Sequence, residues 1–250
     1  MEKSMQKNGQ NIQKCKILGK LKKTEEKKMR KSLKKVVAML GIACMLTSAT
    51  ACQPKFDAAG YVKSYADSNY KGEFEKYAEI CKVDASEPEK LYNQNIETMV
   101  STFSAGAELD DEMKEKFTQL AKDMLAKVKY TVDEDVEYKD GEFTVKVNAE
   151  RLNLVIDTNE ALEYGQKVGK EAAEEYLKTH KKIDQTEYTE YLQDKMVEAL
   201  YEYFSDVVEK ATYDKEETVE ITIAKNSEGL YAMSTSESAE LDSALMNASN

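Results

Sequence analysis

The sequence predicts an α+β domain, with helices packed on an antiparallel sheet of about four strands. Apolar residues recur at helical spacing over several stretches that open on capping residues. Two alternating runs flank Asp140-Gly141, a hairpin turn signal. A third run, Val219, Ile221 and Ile223, alternates near the carboxyl end. Helices, hairpin, helices, hairpin is an α+β order.

In chain order, Asp57 is placed to cap a helix carrying Tyr61, Val62, Tyr65 and Ala66 on one face. Tyr70-Lys71-Gly72-Glu73 interrupts it, and Phe74, Tyr77, Ile80 and Cys81 resume the spacing. Ser86 with Glu89 reads as a capping box for a helix with Leu91, Ile96, Met99, Val100 and Phe103 inward. Asp110 caps the next, with Met113, Phe117, Leu120, Met124 and Leu125 as its core face. The period then switches to two at Val128, Tyr130 and Val132, and again at Phe143, Val145 and Val147, with a continuation through Leu152, Leu154 and Ile156. Asp157 to Glu160 opens a helix with Leu162, Val168, Ala172 and Tyr176. Asp184 to Glu187 opens a longer one with Leu192, Met196, Leu200, Phe204, Val207 and Val208. After the third strand, Asn226-Ser227-Glu228-Gly229 turns into Leu230 to Met233. The stretch 234–250 reads as a polar tail, with Leu241, Leu245 and Met246 on a weak helix.

Two of the helices can be laid together: Leu91 on Leu192, Ile96 on Val197, Glu97 on Glu198, Met99 on Leu200 and Phe103 on Phe204. The match suggests a duplicated α-α-β-β unit over 56–156 and 157–233.

Ahead of this domain, Met29 to Cys52 has the grammar of a secretory signal: a basic head (Arg30, Lys31, Lys34, Lys35), an apolar run from Val36 to Leu46, and small residues ending at Ala49-Thr50-Ala51. Even extended to Ala51 the run is 16 residues and includes Thr47, Ser48 and Thr50, short of the roughly 20 that a spanning helix needs. Cys52 follows the cut, and its thiol can carry a diacylglycerol. The segment resembles the bacterial lipobox, departing from it at Ala49, where leucine is usual. The expectation is a signal peptide over 29–51, a lipidated Cys52 and a tether over 52–55; release at the same bond is the alternative. Residues 1–28 are a basic extension or a misassigned start, and are set aside.

Residues 1–51 hold 13 of the 36 Lys/Arg and 3 of the 47 Asp/Glu, so 52–250 carries 23 basic against 44 acidic side chains, a formal charge of −21. Such a surface repels nucleic acid and anionic headgroups, so nucleic-acid binding is excluded and any membrane attachment has to come from the lipid. There is no Trp, and Tyr (15) outnumbers Phe (6). With Cys15 and Cys44 in the leader and Cys52 lipidated, Cys81 is expected as a lone buried thiol.

No catalytic, metal or cofactor-binding constellation emerges. His180, the one histidine, sits among lysines and reads as a solvated helix end. Gly165 to Lys170 is one residue short of a phosphate loop and lies in a helical pattern. Asp133, Glu134, Asp135 and Glu137 look like calcium ligands, but Tyr138 stands where such a loop needs Gly, so a wet strand face is expected. Tyr188, Tyr191, Tyr201 and Tyr203 cluster on and before one helix and read mainly as the rim of the core; those left exposed could line a groove for peptide or sugar.

Phe56-Asp57-Ala58-Ala59-Gly60-Tyr61-Val62, then Tyr70-Lys71-Gly72-Glu73, then Lys127 to Val132 and Gly141 to Val145, are similar to a family of Gram-positive (Firmicute) membrane lipoproteins of unknown function. The resemblance implies a cell-surface location and an α+β ectodomain, and brings no catalytic residues. The resulting expectation is a lipid-anchored binding or interaction module on the extracytoplasmic face, with an envelope protein, peptide or glycan as ligand. The alternative is a cell-wall or peptide-processing hydrolase using paired carboxylates.

Overall fold

The computed structural model describes residues 56–182 and 184–249. The fold is α+β. Helix α1 (Ala58–Ala66) runs into a π-helical turn (Asp67–Lys71), followed by α2 (Glu75–Cys81), α3 (Ser86–Phe103) and α4 (Asp111–Ala126). Strands β1 (Lys129–Val132), β2 (Glu137–Lys139), β3 (Glu142–Glu150) and β4 (Leu152–Val155) come next. A helical hairpin, α5 (Thr158–Thr179) and α6 (Gln185–Glu209), leads to β5 (Thr212–Tyr213), β6 (Glu217–Lys225) and β7 (Tyr231–Met233). Helix α7 (Thr235–Leu245) and β8 (Met246–Ser249) follow.

The main sheet has the order β1-β3-β6-β7, with β2 beside β3 beyond β1. Its centre is the antiparallel pair β3–β6, in the register Phe143↔Ile223, Val145↔Ile221 and Val147↔Val219. Along β3, Phe143, Val145, Val147 and Ala149 are buried while the residues between them are partly or fully exposed, so one face of the sheet is dry and the other wet. Helices α1 and α7 cover the dry face. The turn at Asp140-Gly141 forms as expected, both residues at positive φ (54° and 95°), and joins β2 to β3. β1 and β2 lie along the same side of β3, interrupted at 133–136.

Most of the expected caps are present. Asp57 Oδ1 accepts from the Gly60 N–H at 2.8 Å, Asp110 Oδ1 from Met113 at 2.7 Å, and Asp157 and Asp184 each from two N–H groups. The Ser86 capping box does not form. Ser86 is the first residue of the helix rather than its cap: Asp84 Oδ1 accepts from its N–H and its hydroxyl, and the Glu89 N–H donates to the Ala85 C=O at 3.2 Å. The two hydrogen bonds from Ser86 hold the Asp84 carboxyl below the usual range.

Three expectations are revised. The strand from Phe143 does not run on in one sheet: it breaks at Arg151, and β4 joins a small second sheet, β5-β4-β8, in which β4 and β8 are parallel. The polar tail expected over 234–250 is part of the core: its weak helix is α7, with Leu241 and Leu245 fully buried, and Met246 belongs to the strand β8 that follows. Ser234 caps α7 through the Glu237 N–H, and the Glu237 carboxylate accepts from Thr222 N–H on β6 at 2.7 Å, just past the end of β7. Finally, Leu91 is only half-buried, Met196 is exposed, and Tyr92, Val197 and Ala199 are buried instead.

The duplication pattern pairs helices that hold different places in the chain, because α4, not α3, directly precedes β1. One matched pair nevertheless meets: Phe103 stacks on Phe204 with centroids 4.5 Å apart.

Candidate functional site

A concavity of mixed polar and apolar lining lies over β4. Leu152 and Leu154 point into the core and are fully buried, so Asn153 and Val155 face outward. β5 pairs only with Leu152 and Asn153; beyond them, Leu154 and Val155 have a registered partner on β8 alone. Where β4 and the α6–β5 connection part, a cleft of about 700 Å³ opens. Asn153, Val155 and Thr212 form its strand side, Glu160 and Tyr164 on α5 one wall, and Glu202, Tyr203, Asp206 and Val207 on α6 the other, with Lys210 at the end. Val155 is 72% exposed, unusual for an aliphatic side chain.

The walls are braced. Tyr164 donates to Glu202 at 2.9 Å across the two helices. That bond raises the Tyr164 phenol above its ordinary range. The Tyr203 hydroxyl accepts from Asp157 N–H (3.1 Å) and donates to Asp157 C=O (3.0 Å), tying α6 to the start of α5. Burial is the main cause that raises the Tyr203 phenol. Glu202 therefore carries a hydrogen bond, and Asp206 pairs with Lys210 at 2.7 Å. The helices themselves pack closely where Met196 lies against Gly169; a β-carbon there would sit 3.2 Å from Met196 Cγ.

A second cleft, of about 530 Å³, lies between α1 and the outer edge of β1, with Lys63, Lys71, Tyr130, Asp57 and Glu134 among its lining. Behind it, buried Asp67 accepts from Lys63, from Lys71 at 2.7 Å and from the Tyr130 hydroxyl at 2.5 Å. Burial opposes ionisation of Asp67, but these three donors prevail and hold its carboxyl below the usual range. Both lysines are thus spent on one internal carboxylate.

Sequence reasoning located parts of this picture. Of the clustered tyrosines, Tyr203 lines the β4 cleft and Tyr201 packs edge-on against Phe117. Tyr188 and Tyr191 surround Tyr176, on which His180 stacks at 3.9 Å at the exposed end of α5. Asp133, Glu134 and Asp135 sit in the exposed interruption between β1 and β2 and Glu137 on β2, and among the described residues no group of three or more His, Cys, Asp or Glu could hold a metal ion. Cys52 lies outside the described residues. Cys81 is fully buried as expected, yet it is disulfide-bonded, which corrects the expectation of a lone thiol. The other cysteines, Cys15, Cys44 and Cys52, all lie outside the described residues. The cleft itself was missed, although one signal pointed to it: with Leu152, Leu154 and Ile156 inward, Val155 is an apolar residue on a wet face.

No family model matches the chain, and no curated protein matches it. Among solved structures it is similar to YcdA from Bacillus subtilis subsp. subtilis str. 168, described as a candidate lipoprotein, with a TM-score of 0.41 and 17% identity over 77% of this chain. The match spans 56% of that protein, and at this level of likeness neither activity nor partners carry across. None of the described helices is long and apolar enough to cross a membrane.

Proposed function

We propose that the protein is a lipoprotein, anchored through Cys52 on the extracytoplasmic face of a Gram-positive membrane, whose acidic domain is a binding module that takes its ligand in the β4 cleft. The observation that carries the binding reading is the cleft: two helices braced by side-chain hydrogen bonds around an exposed apolar floor is what a preformed site requires. Hydrolysis by paired carboxylates is less well supported: Glu160 stands on the wall opposite Glu202 and Asp206, but Glu202 already accepts from Tyr164 and Asp206 is paired with Lys210.

The anchor reading rests on the Met29 to Cys52 pattern and fits the start of the fold. Phe56 is buried and stacked on Tyr231 at 5.1 Å, so the domain begins four residues after Cys52. That tether reaches about 14 Å at most, which would hold the start of α1 close to the bilayer. One acyl chain binds marginally and two bind stably, so a diacylglycerol would suffice.

Cys52→Ala should move the protein from the membrane fraction to the medium or the soluble fraction. A variant that stays with the membrane would refute the anchor. The Cys81 disulfide bears on the same sulfur: cleavage before Cys52 removes Cys15 and Cys44, so a lipidated Cys52 requires Cys81 to be a thiol in the mature chain. Peptide mapping that finds Cys52 linked to Cys81 in place of a diacylglyceryl thioether would also refute the anchor, since one sulfur cannot hold both bonds.

A further inference from the structure

We infer that the β4 cleft takes a basic, extended peptide segment of a partner protein. This deepens the reading of the cleft as a binding site and rests on it. Three independent features define the occupant. The first is charge: Glu160, Glu202 and Asp206 stand around the opening against Lys210 alone, so the wall is acidic on a domain already at −21. A cationic ligand is drawn toward it by the whole surface and met there by local carboxylates.

The second is backbone. β4 has no registered partner at Leu154 and Val155 on its β5 side, beyond the start of β5 at Thr212, and Val155, Lys210 and Thr212 place this half-open edge at the cleft. An extended segment laid against such an edge gains main-chain hydrogen bonds, the usual mode of strand addition. A glycan or a compact amine would leave that edge unused.

The third is the apolar floor. Val155 on the floor, with Val207, Tyr164 and Tyr203 on the walls beside it, offers contact for aliphatic side chains or the methylene stems of lysine and arginine. A basic peptide in extended conformation presents both a cationic and an apolar side, matching wall and floor together. The cleft between α1 and β1 lacks this combination, because its lysines are committed to Asp67.

The test is fluorescence anisotropy with the full chain in detergent and three labelled octapeptides: alternating Lys-Val, alternating Ser-Val and alternating Glu-Val. The Lys-Val peptide should bind most tightly. Glu160→Gln with Glu202→Gln should weaken it about tenfold, as expected for the loss of two partly exposed charge pairs. Glu115→Gln with Glu142→Gln removes the same charge from exposed positions away from the cleft and should change binding less than twofold. Val155→Ser should weaken binding several-fold with no fall in melting temperature, since Val155 is already solvated.

If Ser-Val binds as tightly as Lys-Val and the cleft variants weaken both, the basic ligand is refuted and the binding site stands. If the remote pair weakens Lys-Val as much as the cleft pair does, the attraction is diffuse and the inference is overturned. Absence of binding by all three peptides overturns the inference and leaves the cleft without a peptide ligand.

Discussion

Truncating Leu245 to alanine separates a structural carboxyl terminus from a loose one. Leu245 is fully buried at the end of α7, next to Met246, and α7 lies across β3, β6 and β7. Removing its side chain forfeits the transfer energy of the lost methyl and methylene groups and leaves a cavity under the helix. Buried Leu→Ala substitutions cost about 2–5 kcal/mol. That is a large part of the roughly 5–15 kcal/mol by which a domain is stable. With a urea slope of about 2 kcal/mol per molar, the midpoint should fall by about 1–2.5 M. The control is Ser243→Ala on the exposed side of the same helix, expected within about 0.5 kcal/mol of the parent. Urea titration followed by circular dichroism at 222 nm measures both. If the two variants unfold at the same midpoint, α7 does not hold the core and the packing described above is wrong.

Two further outcomes follow from α1 and the π-helical turn that ends it. Gly→Ala inside a helix ordinarily stabilises by up to about 1 kcal/mol, but Gly60→Ala should destabilise by about 1 kcal/mol in thermal melts: its β-carbon would lie 2.1 Å from Asp57 Oδ2 and expel the capping carboxylate. An unchanged or raised melting temperature would show that Asp57 can cap from another rotamer. Asp67→Asn should cost about 1.5–3 kcal/mol near neutral pH, the worth of hydrogen bonds to a charged group. Because folding depresses the Asp67 pKa, its contribution is complete above the unfolded value near 3.9 and is lost as pH falls through the folded value. The gap between parent and Asp67→Asn should therefore close between about pH 5 and the lowest pH at which the parent still folds. A gap independent of pH would refute the ionised, three-donor arrangement.

The sequence alone determined what depends on neighbours within a few positions. Asp57, Asp110, Asp157 and Asp184 each cap from one place, because the N–H groups they serve lie two or three residues ahead. Asp140-Gly141 adopts positive φ where only such residues do so cheaply. The period-two runs became β3 and β6, and the helical runs became α1 to α6, so the fold class was legible. The leader grammar is local in the same sense.

Only tertiary structure decided the rest. Leu241, Leu245 and Met246 stand out in the sequence as one weak apolar group, but only their packing on the sheet makes them core. Asp242 looks like another surface acid, yet it is buried and accepts from Tyr70, 172 positions away, at 2.9 Å. Asp67 draws its third donor, Tyr130, from 63 positions away. The β4 cleft exists because β5 begins only at Thr212, opposite Asn153, and α5 and α6 lean together over the part of β4 beyond it. Caps and turns close within one or two turns of chain and can be read from spacing; a cleft is the space left between elements, and no spacing along the sequence encodes it.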